Sequence, residues 1–189
     1  TGIWTIDRMT GPAPDRLNPD TLTPVLTSGC RPEYLHVKDP VVFETPGVRG
    51  ETSLAFCSHP FSWSASNTGL AQRRHGNDDF EVAAWEMVTR GPCWDVAALR
   101  ITDRMSVPRT GPFRDLPDCS VYFYDGAECI RDHEENVRAV SRARGYSCEE
   151  IGGVFFGWDA EFPKLNRLSI TAPLFVSPYG TGCSRYTAT

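Results

Sequence analysis

The sequence predicts an all-β chain, a β-propeller of which only part is present, with a β-sandwich as the alternative. Three observations carry this. Four strand-like runs follow one another between residues 37 and 88, and that is about the 40–50 residues of one propeller blade. The pattern then returns: SLAFCS (53–58) matches SVYFYD (120–125), with Ser53 and Phe56 answered by Ser120 and Phe123. Gly69 and Phe80 are answered in turn by Gly152 and Phe162, at an offset enlarged by a charged insertion at 130–144. One such sheet cannot cover both its faces, so repeated units must stack.

Taken in order, residues 1–29 hold two strand-like pieces (3–8 and 22–27) around a Pro/Gly/Asp-rich loop, the outer half of a blade. The full unit follows at 37–88, with strands expected at 37–44, 53–58, 68–74 and 80–88, each rich in β-branched or aromatic residues and bounded by turn formers. A second unit spans 95–170, with strands at 96–107, 120–125, 151–158 and 165–170; its insertion at 130–144 tolerates a short helix. Residues 173–189 read as the start of a closing blade, with a strand opening at 174–177.

At 189 residues, 40% hydrophobic and 23% charged, the composition is that of an ordinary soluble globular domain with room for one substantial core. A net charge of −5 argues against nucleic acid as a partner, and the basic run RAVSRAR (138–144) has no interleaved aromatics. No apolar run approaches the roughly 18–20 residues that span a bilayer, so no membrane partner is expected. The chain begins at Thr1 rather than Met, so localisation is not legible. Seven scattered cysteines include no CxxC pair; they read as mostly structural, with disulfides between loops open to them. Cys57 and His59 are too few to hold a metal, and no metal or cofactor is expected. P-loop, GxGxxG, HExxH, GxSxG and EF-hand signatures are absent.

The segments KDPVVF (38–43), SLAFCSHPFSWSASNTGLAQR (53–73), YFYDG (122–126), LNRLS (165–169) and PLFVSPYGTGCSRY (173–186) together resemble the five-bladed β-propeller glycosidases, the arabinanase, levansucrase and invertase-like superfamily. The resemblance covers most of residues 22–186. A five-bladed ring needs upwards of roughly 200 residues, so the chain looks like the later blades of a ring. Unpaired blade edges would then self-associate.

The resemblance implies a carbohydrate substrate or ligand in an axial pocket lined by the innermost strands. Asp39, in a DP pair, would be a catalytic base or a carboxylate that orients the acid, and Pro40 restricts it to an extended backbone. The chemistry asks for a second carboxylate about 5–9 Å away in a different environment. Asp125 and Glu128 are the candidates, Glu128 because GAEC is similar to the Glu-Cys pair of invertase-like enzymes. Asp39 capping its own turn and Asp125–Gly126 closing a hairpin are the plain alternatives. His59 and Asn67 are candidates for sugar hydroxyls, Trp63 for the apolar face of a sugar ring, and Arg100 and Arg185 for clamping a carboxylate. Trp85 alternates like a core residue. The rival class is a non-catalytic carbohydrate-binding or assembly module on the same blades.

Overall fold

In the computed structural model, which describes residues 2–28, 31–60, 65–127 and 151–175, three antiparallel sheets follow one another along the chain. Strands β1 (Ile6–Thr10) and β2 (Asn18–Leu26) form a two-stranded ribbon. Strands β3 (His36–Glu44), β4 (Thr52–His59), β5 (Asn67–Arg73) and β6 (Glu81–Val88) pair in chain order as a meander. A second meander repeats that order with β7 (Ala98–Ser106), β8 (Cys119–Ala127), β9 (Ile151–Trp158) and the short β10 (Asn166–Arg167). The described residues contain only short 3-10 turns besides strands, and no helix among them is long and apolar enough to cross a membrane. All-β is the class these sheets establish.

Strand β4 explains why the middle sheet dominates the sequence pattern. Seven of its eight residues are buried, because both faces are covered. Side chains alternate across a strand. Leu54 and Phe56 therefore join Ile6, Leu26, Val37 and Ala71 in a core under the ribbon. Ala55, one position out of phase, joins Leu99, Ile101, Tyr122, Tyr124 and Phe155 in the core shared with the second meander. A strand buried on both faces reads as a continuous apolar run rather than an alternating one.

The two meanders are also joined through the backbone. Ser66 N–H donates to the Ala97 carbonyl and Leu99 N–H to the Ser66 carbonyl, both at 3.0 Å. Two residues on, the Thr68 hydroxyl donates to the Leu99 carbonyl (3.0 Å) and accepts from Ile101 N–H (3.1 Å). A threonine side chain thus continues a parallel ladder where the two backbones part.

Each meander pairs a glycine with a facing aromatic ring. Gly69 lies opposite Phe56, and a Cβ there would come within 2.4 Å of the ring. In the second meander Gly153 has this role against Tyr124, at 2.2 Å. The sequence repeat matched Gly69 with Gly152 instead, one residue off: Gly152 faces Asp125 and bridges to Phe175.

Three strand expectations change. Strand β2 starts at Asn18, ahead of the apolar run at 22, because Pro19 and Pro24 lie in a ribbon whose edge needs no full ladder. The run at 165–170 pairs only through Asn166 and Arg167. Beyond them the Ser169 hydroxyl takes the Val154 N–H (3.1 Å), while Leu168 and Ser169 N–H both turn onto the Val154 carbonyl. At 174–177 the described residues form a single bridge, Phe175 to Gly152. The insertion at 130–144 lies outside the described residues.

Candidate functional site

Where β3 meets the start of β7, charged side chains converge on one guanidinium. Arg100 Nη1 donates to Asp39 Oδ2 at 2.8 Å and Nη2 to Asp125 Oδ2 at 3.0 Å. Register produces the second contact, since Arg100 and Asp125 are direct cross-strand partners on β7 and β8. Lys38 Nζ approaches the same Asp39 oxygen at 3.3 Å. The Asp125 side chain is 2% exposed and that of Asp39 37% exposed. Asp39 is therefore the carboxylate a ligand can reach, and Asp125 acts through Arg100.

Asp39 is not extended, as Pro40 led us to expect: its φ is +52°. The register of β3 slips between Lys38 and Val41, leaving one extra residue against β4. This bulge turns Asp39 through the left-handed region, which Asp tolerates better than most residues. The ion pairs with Arg100 and Lys38 hold it there. Burial pushes its carboxyl up, but Arg100 and Lys38 pull harder, and the net shift is downward. Asp39 is thus ionised at neutral pH.

His59 joins the same place. Cys57 and His59 are two apart on β4 and so share a face, and Lys38 sits opposite Cys57. His59 Nδ1 lies 3.0 Å from the Ala65 carbonyl. A carbonyl only accepts, so Nδ1 carries the proton and Nε2, 3.2 Å from Cys57 Sγ, accepts from the thiol. The Ser66 hydroxyl also bonds that sulfur. Burial pushes the Cys57 thiol up to about 11 and, reinforced by Lys38, holds the His59 imidazole down to about 4. At neutral pH this pair is a neutral thiol and a neutral imidazole. A cavity of about 50 Å³, lined by Lys38, Cys57, His59, Ser66, Ala98, Arg100 and Asp125, separates these groups. It has room for water but not for a sugar ring.

Of the residues singled out from sequence, Asp39, Asp125, His59 and Arg100 come together. Asn67 does not: its amide donates to Glu86 (2.7 Å) and accepts from Arg90 N–H (3.1 Å). Trp63, Glu128 and Arg185 lie outside the described residues. The aspartate in the DG pair is no hairpin turn. Asp125 and Gly126 lie inside β8, where a Cβ at Gly126 would collide with Asp95 and Trp94. Sequence reasoning missed Lys38, Cys57 and Ser66 as neighbours of the site. The i, i+2 spacing of Cys57 and His59 was the available signal. Cys57, Cys93 and Cys119 are free thiols, so the described cysteines form no disulfide, and no metal-binding cluster occurs among the described residues.

The neutral His59 has a measurable consequence. Between pH 6.5 and 4 the unfolded chain protonates this imidazole and the folded chain does not. The unfolded state therefore binds more protons, and stability falls as pH falls through that window. We expect His59 to account for a loss of about 3 kcal/mol between pH 7 and pH 4. Urea midpoints of wild type and His59→Gln across that range test it; equal slopes in both proteins would refute it.

The sequence matches no family model, and no curated protein or solved structure matches it either.

Proposed function

We propose that the two four-stranded meanders are blades of a propeller of the five-bladed glycosidase type, and that the protein acts on a carbohydrate beside Arg100. The observation that carries the reading is the convergence of Asp39 and Asp125, from two consecutive sheets, on one guanidinium. The resemblance of KDPVVF and its companion segments to those glycosidases supports it.

Asp39 is the ionised, reachable carboxylate, suited to act as general base or to stabilise developing positive charge on a sugar ring. Arg100 and Asp125 are positioning residues that fix its oxygen. His59, neutral, is joined to the site through the Cys57 thiol. The general acid falls to Glu128, which follows directly on β8.

A second reading, carbohydrate binding without catalysis, has its own observation in favour. Arg100 pairs with both described carboxylates of the site, and Asp39, the reachable one, is held ionised rather than protonated for donation to a leaving group.

Release of reducing sugar or aryl alcohol from a panel of aryl-glycosides separates the two. The catalytic reading expects turnover that Asp39→Asn lowers by about 10²–10⁴-fold. Identical rates for wild type and variant would remove Asp39 from the chemistry. Saturable sugar binding with no turnover of any member would favour the binding module.

A further inference from the structure

Four residues beyond Arg100 on β7, about 13 Å along the strand, a second polar cavity opens. It encloses about 390 Å³ between the β3–β4 hairpin and the far end of the second meander, a volume within the range of small-molecule sites. One wall is rigid. Arg104 donates from Nε and Nη2 to the Ser120 hydroxyl (3.1 and 2.8 Å) and from Nη2 to Asp159 Oδ2 (3.3 Å). Ser120, itself fully buried, donates to Asp159 Oδ1 at 2.6 Å. Three side chains are thus locked together, with Arg104 and Asp159 only 12% and 11% exposed.

The opposite wall is the hairpin, which carries Glu44 and Arg49. Its backbone is set by Thr45 N–H to the Glu51 carbonyl (2.9 Å), and the Thr45 and Ser53 hydroxyls meet at 2.9 Å. Gly47, at φ +71°, lies so close to Asp159 that a Cβ would stand 3.0 Å from its carbonyl oxygen. The side chains of Glu44 and Arg49 make no hydrogen bond or ion pair among the described residues, while lining the cavity.

We propose that this cavity binds a neutral polyhydroxylated ligand of monosaccharide size. Its charged lining is Glu44, Arg49, Arg104, Asp118 and Asp159, with both signs on facing walls. An anion would meet the carboxylates and a cation the guanidiniums. A sugar hydroxyl both donates and accepts, so adjacent hydroxyls satisfy an arginine and a carboxylate together. Among the described residues no aromatic side chain lines the cavity, so none of them adds a ring-stacking platform to these bonds. The proposal stands on this cavity alone and is independent of any chemistry at Arg100.

The test is titration of the intact chain with D-glucose, D-galactose, L-arabinose and D-xylose, each separately, followed by ligand-observed NMR. D-Glucuronate and D-glucosamine serve as charged controls. We expect saturable binding of at least one neutral sugar with a Kd of about 1 mM. Arg49→Ala should weaken it at least about tenfold and Glu44→Gln by a smaller factor, each with an unchanged melting temperature because both side chains are exposed. Turnover at the Arg100 site, where present, should be unaffected by either variant. Three results would each overturn the proposal: no saturable binding of any neutral sugar, wild-type affinity in Arg49→Ala, or a clear preference for glucuronate or glucosamine.

Discussion

Arg100→Leu is expected to destabilise the protein by about 3–5 kcal/mol, because it strips the shared cation from two carboxylates, one of which, Asp125, is nearly closed off from solvent. For a chain of this size that is a fall in melting temperature of roughly 10–15 °C. Arg100→Lys should do less damage, since an ammonium is a point charge and cannot fork to two carboxylates as the guanidinium does. Adding Asp125→Asn to Arg100→Leu should recover part of the loss. A thermal melt of the leucine variant within about 3 °C of wild type would show that the pair of ion pairs contributes little.

The second large effect lies at Arg167, which ties β10 to the connection between the meanders. Its guanidinium pairs with Asp95 and bonds the Thr89 carbonyl, and lies over the rings of Tyr124 and Phe155 at 5.4 and 4.7 Å. Asp95 has no solvent exposure and is also bonded by the Tyr124 hydroxyl at 3.0 Å. Trp94 stacks on Tyr124 and donates to the Ser169 carbonyl at 2.9 Å, completing a buried knot. Arg167→Met should cost about 3–5 kcal/mol at pH 7.

The pH dependence gives this prediction its sign. Burial already holds the Asp95 carboxyl above its ordinary value with Arg167 beside it, and without the arginine it rises further. The folded variant then binds a proton that the unfolded chain has released, so its stability falls as pH rises above about 4. The gap to wild type should therefore be wider at pH 7 than at pH 5. Asp95→Asn in the Arg167→Met background should remove that pH dependence. A gap independent of pH would mean that Asp95 keeps another counter-charge.

Most strands were legible because their signal is local. The run SLAFC in β4 and the glycine-aromatic pairs leave marks in the sequence whatever the tertiary setting. Asp39, Asp125, His59 and Arg100 were singled out through the resemblance to the propeller glycosidases rather than by a local signal of their own. The conformation of Asp39 was not legible. A one-residue bulge is set by how β3 registers against β4, and the dipeptide preference before Pro40 gives way to two cations, neighbouring Lys38 and Arg100 from β7. The knot around Asp95 was equally hidden. Its members, Asp95, Tyr124, Arg167 and Ser169, come from separate elements, and no spacing in the sequence announces that they meet.

The threonine at position 68 carries one further implication. Because its hydroxyl occupies a rung between Leu99 and Ile101, neither meander can slide past the other by a residue pair without breaking that rung and the two at Ser66. Shear along this seam therefore has to break hydrogen bonds that a purely apolar seam would lack. Rotation about this seam, as a book opens along its spine, would widen the space between Asp39 and Asp125 and keep those rungs intact.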